Sequence, residues 1–421
     1  MKKALLLLFL ILNVILVLAQ IGPYKPLDKY SFIRYEADTL VFDSDSSLLN
    51  VFFEKLDRFI ETREGEINIL QIGGSHIQAG TMSNTIRRNI LFSDTTLTRS
   101  RGFVFPYSLG SKSNNPSDYR VSKNGKYTLV RNVYKEHARP LGTSGVAAFT
   151  TDSLSDFTII FRDSLFRYDT KRVILVGEVS SRRNVPSIWV DSIEYYPTAV
   201  DTILGRYVYD VAFREQFTVA TNCDGTPEDE FVIHGLFLED EHRGIAFHSV
   251  GVNGASVPSY LRCQNYGQEL DLFRPDLVIF GIGINDAFDS DFTRESFEQN
   301  YLMLIDEIKS YNPDCAFIFF TNNDSYKRVR KKFYNNKNAV AVQKVMYSLA
   351  QQTRGGVFDQ YKIMGGSTSM YKWYVNKLAK YDRVHFTSEG YQLMGDLFYN
   401  AFIHAQMKCR DNRERQLIIE E

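Results

Sequence analysis

The hydrophobic positions of the chain follow two different periods. Ile67–Gln71 is an apolar-rich run that predicts a buried strand, and Gly73-Gly74 end it. A helical pattern follows over Ile77–Phe92. From Gly244 onward, apolar runs and helical patterns alternate again, as in a parallel sheet that is covered by helices.

The same alternation predicts the remaining elements of this α/β part. Its strands are short apolar runs, and its helices have apolar residues three or four positions apart. The predicted elements are an extended lead-in over Pro23–Asp45, helices over Ser46–Thr62, Thr293–Ser310, Ala339–Gln352 and Ser388–Gln406, and strands over 245–252, Leu277–Gly283, Ala316–Thr321 and Val357–Tyr361.

The middle of the chain has a different pattern. Between Tyr127 and Glu239, short β-rich runs are separated by turns, without a helical period between them. Eight runs predict a β-sandwich or jelly roll, and they are 127–132, 146–151, 156–162, 172–178, 187–196, 206–213, 217–222 and 231–239. Because these runs interrupt the α/β pattern after its first strand, we interpret them as a module inserted at an exposed connection.

The N-terminus predicts export. A positive start, Met1-Lys2-Lys3, precedes the apolar run Ala4–Leu18, and Val17-Leu18-Ala19 supplies the small residues of a cleavage site. We therefore expect residues 1–19 to be a signal peptide and the mature protein to be periplasmic or extracellular. The run is short for a membrane span, which needs about 20 apolar residues, so an uncleaved anchor is the less favoured alternative. We expect no stable membrane insertion after cleavage.

Charge and cysteine content narrow the function classes. Acidic and basic residues nearly balance, 50 against 49, so the composition does not indicate a nucleic-acid partner. The four cysteines are widely spaced and match no zinc pattern. They permit three disulfide pairings in an oxidising compartment, and four buried thiols are the alternative. The cysteines are Cys223, Cys263, Cys315 and Cys409.

Candidate chemistry lies where predicted strands end. Ser75 follows the first strand at a helix N-terminus, where backbone N–H groups and the helix dipole stabilise an oxyanion. Asn285 follows Leu277–Gly283, and Gly254 follows the strand that begins at Ile245. The structural alternatives are a helix cap for Ser75, an Asx turn for Asn285 and a turn glycine for Gly254.

A second group of candidates precedes the last helix. Asp382 and His385 are three residues apart, so a single irregular turn can present both side chains on the same side. A histidine that takes a serine proton needs its other ring nitrogen held, and an aspartate does this. A surface ion pair is the alternative, because the pattern is short.

Taken together, these motifs resemble the SGNH (GDSL-type) hydrolase family. The family's blocks map onto Ser75, Gly254 (with Gly251 as the alternative), Asn285 and the pair Asp382 and His385. The resemblance covers roughly 67–101 and 244–408. Two residues depart from the family pattern, since Gly74 stands where it usually has Asp and His76 where it usually has Leu.

The resemblance implies a fold and a domain organisation. We expect a three-layer α/β SGNH-hydrolase-like parallel sheet with an inserted β-sandwich, similar to a jelly-roll carbohydrate-binding module, as in the peptidoglycan O-acetylesterase branch. The expected boundaries are 20–101 and 244–408 for the catalytic domain, 102–243 for the inserted loop and β-sandwich, and 409–421 for a polar tail.

The resemblance also implies roles. Ser75, His385 and Asp382 form a catalytic triad, while Ser75, Gly254 and Asn285 form the oxyanion hole. His76 is interpreted as a packing or turn residue, because His385 already supplies the base. An α/β-hydrolase is disfavoured, since its G-x-S-x-G elbow would need glycine at position 77, where Ile77 stands.

The expected function is an exported serine esterase that removes acyl groups, chiefly acetyl, from cell-wall or other polysaccharide. The alternatives are a polysaccharide O-acetyltransferase of the same fold and a weakly active carbohydrate-binding protein. No metal or organic cofactor is implied, and the expected partner is the acylated polysaccharide. Asn114 and Asn115 are candidate substrate-binding residues. Candidates for stacking on sugars within the module are Tyr134, Phe149, Trp189, Tyr195, Tyr196 and Tyr207.

Overall fold

The computed structural model describes residues 24–43, 47–92, 97–111, 113–162, 168–240 and 244–420. The predicted signal peptide, residues 1–19, lies outside these ranges. No helix in the described part of the chain is both long and apolar enough to cross a bilayer.

The described ranges contain 21 strands. In chain order they are β1 Leu40–Val41, β2 Glu66–Gly73, β3 Arg99–Ser100, β4 Gly102–Val104, β5 Tyr119–Asn124, β6 Thr128–Arg131, β7 Val146–Thr150, β8 Ser155–Phe161, β9 Thr170–Val179, β10 Ser187–Val190, β11 Ile193–Tyr195, β12 Ala199–Asp201, β13 Arg206–Phe213, β14 Gln216–Thr221, β15 Phe231–Glu239, β16 Gly244–Gly251, β17 Leu277–Gly281, β18 Ala316–Phe320, β19 Tyr326–Val329, β20 Lys332–Asn335 and β21 Gly356–Phe358.

The helices lie mainly at the two ends of the chain. In chain order they are α1 Leu48–Thr62, α2 Ser75–Gln78, α3 Thr81–Leu91, α4 Val257–Leu261, α5 Leu270–Phe273, α6 Ile284–Phe288, α7 Arg294–Tyr311, α8 Ala339–Thr353, α9 Gln360–Ile363, α10 Ser369–Val375 and α11 Ser388–Glu420, with short 3₁₀ turns at Tyr35–Ala37, Tyr107–Leu109, Arg182–Asn184 and Gly267–Glu269.

The central sheet has the strand order β1-β21-β18-β17-β2-β16-β3. All its pairs are parallel except β1 with β21. Strand β2 lies between β16 and β17, so the chain leaves β2 towards one side of the sheet and returns on the other. Such a switch point opens a crevice at the carboxyl end of the strands, and Ser75 follows β2 there.

Side chains alternate along the strands of this sheet, so that the two faces of the sheet pack into two different hydrophobic cores. In β2, Ile67 and Ile69 belong to the core that contains α1, α3 and α11, whereas Leu70 and Ile72 face the other core. Strands β17 and β18 alternate in the same way. The sheet is therefore covered on both faces, which explains why its strands read as nearly continuous apolar runs. The predicted SGNH-like α/β architecture is present.

The middle of the chain forms antiparallel sheets. One has the order β11-β10-β14-β8-β5 and another the order β12-β13-β9-β15-β7-β6, with β4 also paired to β15. All eight predicted runs fall on these strands, and the run 187–196 divides into β10 and β11. Strand β5 precedes the predicted range, and β12 falls between two predicted runs. That this part is a separate jelly-roll module similar to a carbohydrate-binding module stays a prediction.

Several local features differ from the expectations. The helix expected over Ile77–Phe92 divides into α2 and α3, because Gly80 between them adopts φ 77°. The last helix continues far beyond Gln406, and in the expected polar tail the Arg413 guanidinium pairs with Asp57 of α1.

The four cysteines are buried and free. Burial raises the pKa of each thiol, to about 12 for Cys263 and Cys409. These thiols are poor nucleophiles. Of the two alternatives, disulfides or four buried thiols, the structure has four buried thiols.

Candidate active site

The turn that carries Ser75 is fixed by backbone groups. The N–H groups of Ile77 and Gln78 both donate to the Gly74 carbonyl, at 3.1 and 3.0 Å. The Gly73 carbonyl accepts from the Tyr260 hydroxyl at 2.8 Å and from the Val252 N–H at 3.2 Å. The serine therefore starts α2 in a turn anchored to β2, to α4 and to the loop after β16.

The structure brings Ser75, His385 and Asp382 together across 310 residues. Ser75 Oγ lies 2.8 Å from His385 Nε2, and His385 Nδ1 lies 2.9 Å from Asp382 Oδ2. Since a carboxylate only accepts, Nδ1 carries a proton, and in the neutral ring Nε2 accepts from the serine hydroxyl. This tautomer is the one that removes a proton from serine.

The Asp382 carboxylate is held ionised. Its Oδ1 accepts from the N–H groups of Val384 and His385, at 2.9 and 3.0 Å. Partial burial alone would raise the pKa of Asp382, but the hydrogen bonds from the His385 ring and from the two backbone N–H groups lower it well below its usual value. A charged carboxylate stabilises an imidazolium on His385.

Contacts of Arg383 and Asn323 hold the loop that carries Asp382 and His385. Arg383 adopts φ 54°, a left-handed conformation that is costly for a non-glycine residue. Its guanidinium lies 4.3 to 5.5 Å from the ring centroids of four aromatic residues, which are Tyr326, Phe333, Tyr371 and Tyr374. Asn323 donates to the Val384 carbonyl at 2.9 Å. Neither the Arg383 contacts nor the Asn323 hydrogen bond was predicted from the sequence, although Arg383 stands inside the D-x-x-H motif.

Gly254 has the geometry of an oxyanion donor. Within the described ranges its N–H has no acceptor, whereas the N–H groups of Val252, Asn253 and Ala255 are each bonded. Its φ of 88° favours glycine. The alternative, Gly251, is a close-packing residue, because a Cβ there would lie 2.5 Å from the Gln78 nitrogen and 2.9 Å from the Gly74 oxygen.

Asn285 lies beside the same turn. Its Nδ2 donates to the Ala255 carbonyl at 2.9 Å, and a Cβ built on Gly74 would lie 3.6 Å from it. An amide nitrogen carries two hydrogens, so one is available to a ligand over the serine. The neighbouring Asp286 carboxylate accepts from the Val257 N–H at 3.1 Å, and burial raises the pKa of Asp286 to about 6.

The replacement of the family's aspartate by Gly74 leaves room beside the turn. A Cβ there would lie 3.4 Å from the Ala255 oxygen, which is ordinary contact. The turn keeps its shape through backbone bonds and the Tyr260 hydroxyl, so it does not depend on a side chain at position 74.

His76 packs against His385. The two ring centroids are 5.1 Å apart, and the Tyr391 hydroxyl lies 3.0 Å from His76 Nδ1. Burial, and secondarily the nearby His385, lower the pKa of His76 to about 3. The ring is therefore neutral at ordinary pH, in keeping with its interpretation as a packing residue.

Gln78 links three parts of the site and was not predicted. Its Oε1 accepts from the Asn253 N–H at 2.6 Å, while its Nε2 donates to Ser113 Oγ and to the Asn114 carbonyl. It thereby holds the residue before Gly254 relative to α2. Its only sequence signal is its position three residues after Ser75.

The remaining predicted binding residues lie in different surroundings. Asn114 is exposed and accepts from Asn253 Nδ2 at 2.9 Å, next to Gly254. Asn115 instead bonds Ser108 through both ends of its amide. Of the six aromatic candidates in the antiparallel sheets, Tyr207 is buried, Phe149 and Tyr195 are half-buried, and Tyr134, Trp189 and Tyr196 are exposed.

In the part of the chain that the structure describes, no cluster of three or more His, Cys, Asp or Glu residues could hold a metal ion. The arrangement around Ser75 combines a hydroxyl, an imidazole, a carboxylate and two free donor positions. These are the groups required for acyl transfer through a serine ester.

Comparison with known proteins agrees with this geometry. Residues 236–393 match the GDSL-like Lipase/Acylhydrolase family, and the match includes Gly254, Asn285, Asp382 and His385. No curated protein matches the chain in sequence.

A solved structure of a peptidoglycan O-acetylesterase is similar at TM-score 0.68 and 20% identity, covering 86% of this chain and 97% of that protein. A lipase/acylhydrolase from Enterococcus faecalis (23% identity, TM-score 0.31, 38% of this chain and 77% of the other) also matches. So does a family two carbohydrate esterase from Cellvibrio japonicus (10% identity, TM-score 0.28, 69% and 99%). These last two scores are too low to support a statement about the fold.

The first similarity is one of fold, and it extends over most of both proteins. The matched residues, the parallel sheet and its switch point lead to one conclusion. Residues 236–393 match the GDSL-like Lipase/Acylhydrolase family, and they lie in a fold that is similar to that of a peptidoglycan O-acetylesterase.

Proposed function

We propose that the protein is an exported serine esterase that removes acyl groups, chiefly acetyl, from a polysaccharide. The observation that carries the proposal is the hydrogen-bonded series Ser75, His385 and Asp382. The free N–H of Gly254 and the Asn285 amide lie next to it. A general base, a nucleophile and oxyanion donors in one crevice are the requirements of ester cleavage.

In the acylation step, Ser75 Oγ forms a bond to the ester carbonyl carbon while its proton passes to His385 Nε2. Asp382 stabilises the imidazolium. The oxyanion accepts from the N–H groups of Ser75 and Gly254 and from Asn285 Nδ2. When the intermediate collapses, the carbonyl re-forms and the bond between the carbonyl carbon and the sugar's oxygen breaks. The leaving sugar oxygen takes the proton from His385 and becomes a hydroxyl.

In the second step, water replaces the sugar. His385 takes a proton from the water as the oxygen attacks the acyl-serine, and the same donors hold the second oxyanion. Collapse releases the carboxylic acid and returns the proton to Ser75. This cycle needs the Ser75, His385 and Asp382 side chains and consumes one water for each acyl group.

The polysaccharide substrate is supported by the fold similarity to a peptidoglycan O-acetylesterase. Export is supported by the sequence of residues 1–19 alone. A site that is open to water, with Ser75 and His385 only half-buried, favours hydrolysis over transfer to a second sugar.

The test is an esterase assay of the purified mature chain on 4-nitrophenyl acetate and on O-acetylated polysaccharide, with Ser75→Ala as the matched inactive form. We expect acetate release by the wild type and a loss of at least about 10⁴-fold in the variant. Equal rates in both proteins would exclude Ser75 as the nucleophile. Release from small esters but never from any acetylated polysaccharide would contradict the substrate class.

A further inference from the structure

The hairpin formed by β19 and β20 is a strongly basic element next to the site. Its ten residues, Tyr326–Asn335, include five basic residues and no acid, although the whole chain is nearly neutral. All five are exposed, and no carboxylate of the described residues lies within 4.0 Å of their charged groups. They are Lys327, Arg328, Arg330, Lys331 and Lys332.

The hairpin contacts the loops that carry the site. The Tyr326 N–H donates to the Arg383 carbonyl at 3.0 Å, between Asp382 and His385 in the chain. The Lys327 ammonium lies 3.4 Å from the carbonyl of Phe288, at the end of the helix that carries Asn285. The element is therefore attached to the rim of the crevice from two sides.

The two faces of the hairpin differ. Because side chains alternate along strands, Tyr326, Arg328 and Phe333 share one face, and they lie near Arg383 and Tyr381. The other face carries Tyr334, which is 54% exposed, opposite Lys327, and it also carries Lys332. An exposed aromatic ring on the same face as two lysines matches a sugar ring that bears carboxylates.

The turn of the hairpin is strained. Arg330 and Lys331 connect the strands, and both have positive φ, 47° and 69°. A two-residue turn of this kind favours Asn-Gly. Two basic residues here are unfavourable for folding, and such outliers are typical of functional sites.

We infer that the hairpin Tyr326–Asn335 is a docking site for a carboxylate-bearing polysaccharide, which it holds beside Ser75. The inference rests on the proposed function for the identity of the chain that is bound, and it narrows the substrate from polysaccharides in general to anionic ones. Sugar rings stack on Tyr334, and the exposed lysines and arginines pair with the carboxylates.

The turn offers a variant that does not threaten folding. Arg330→Asn with Lys331→Gly removes two charges and installs the favoured turn, so thermal stability should stay equal or rise. The matched control is Asp191→Asn with Ser192→Gly, because Asp191 and Ser192 connect β10 and β11 with similar positive φ values, 50° and 67°. That control repairs a turn without removing a basic residue.

Binding is measured in the Ser75→Ala background, by affinity electrophoresis and calorimetry with polygalacturonate, with neutral dextran as the uncharged polymer. Removing two exposed charges should weaken polygalacturonate binding about fivefold and flatten its dependence on salt. The control should bind polygalacturonate like the parent. Because this readout needs no turnover, it remains informative if the esterase assay fails.

Three results would overturn the inference. Polygalacturonate binding that is unchanged in Arg330→Asn with Lys331→Gly would remove the role of the turn. Equal binding of dextran and polygalacturonate would remove the role of charge. Loss of binding only to phosphatidylglycerol vesicles, with no binding of polygalacturonate by the parent, would assign the hairpin to a lipid surface.

Discussion

In the ranges that the structure describes, two histidine–carboxylate pairs occur in different regions, and one of them is placed for chemistry. His385 lies 2.9 Å from Asp382 in the loop before α11, and His234 lies 3.1 Å from Glu178 in the antiparallel sheet. The other nitrogen of His385 meets the Ser75 hydroxyl. The other nitrogen of His234 is buried and, within the described ranges, has no hydrogen-bond partner.

The comparison shows that the pair alone does not make a base. The chemistry depends on what the carboxyl ends of parallel strands bring together. In the parallel sheet, β2, β16 and β17 all end at the same edge. The loops that follow them therefore bring a serine, a glycine and an asparagine together. In the antiparallel sheet, neighbouring strands run in opposite directions and their loops are divided between two edges.

The largest expected effect is on kcat, and it distinguishes the His385–Asp382 pair from the His234–Glu178 pair. Asp382→Asn should lower kcat by about 10³- to 10⁴-fold, because the amide no longer holds the His385 tautomer that accepts a proton. Glu178→Gln should leave kcat unchanged. Acetyl-ester kinetics of both variants measure this, and an equal loss in the two would erase the distinction.

Asn285→Ala should lower kcat by about 100- to 1000-fold, because it removes one oxyanion donor while leaving the triad intact. The matched variant in the antiparallel region is Asn184→Ala, which removes a buried amide that bonds Asp229 at 2.8 Å. We expect Asn184→Ala to lower the melting temperature but not the kcat of the folded protein. Near-normal turnover in Asn285→Ala would exclude the oxyanion role.

Arg383→Ala should lower kcat by about tenfold with little change in KM for a small ester, since displaced catalytic groups cost rate rather than binding. Arg383→Lys should recover part of the rate by keeping a cation among the four rings. Steady-state kinetics and melting temperatures of both variants are the measurements. A loss of stability without a change in kcat would make Arg383 structural only.

A smaller effect concerns pH. The folded-state pKa of Asp382 lies below its usual value of 3.8, so its ionised form stabilises the fold above that pH, and the contribution is lost as pH falls through the folded-state pKa. The melting temperatures of wild type and Asp382→Asn should therefore differ most above about pH 5 and converge as the pH falls below 3.8. A constant difference down to pH 2 would contradict this linkage.

The smallest expected effect lies on the antiparallel sheets. Trp189→Ala and Tyr196→Ala should leave small-ester kinetics unchanged, because both rings are exposed and belong to strands or turns of the antiparallel region. Measured on acetylated polysaccharide, a rise in KM of about threefold would assign a sugar-binding role to these rings. Unchanged KM would leave that role to other surfaces, including the hairpin.

The parallel strands and most of the candidate site residues could be predicted from the sequence. The apolar runs at β2, β17 and β18 predict buried parallel strands, because both faces of the sheet are covered. Ser75 after Gly73-Gly74 and Asn285 after Gly283 were identified by their places at the ends of two of those runs, and Asp382 with His385 by their spacing just before the last helix. Each of these signals is local, so the sequence displays it directly.

The remainder required the tertiary structure. Gly254 was separated from Gly251 only by which N–H is free and which Cβ position is blocked. Gln78, Arg383 and the hairpin Tyr326–Asn335 act through residues distant in the chain, and no local period marks such contacts. The order of the strands decided that β2 lies between β16 and β17, and this order brings loops separated by hundreds of residues to one crevice.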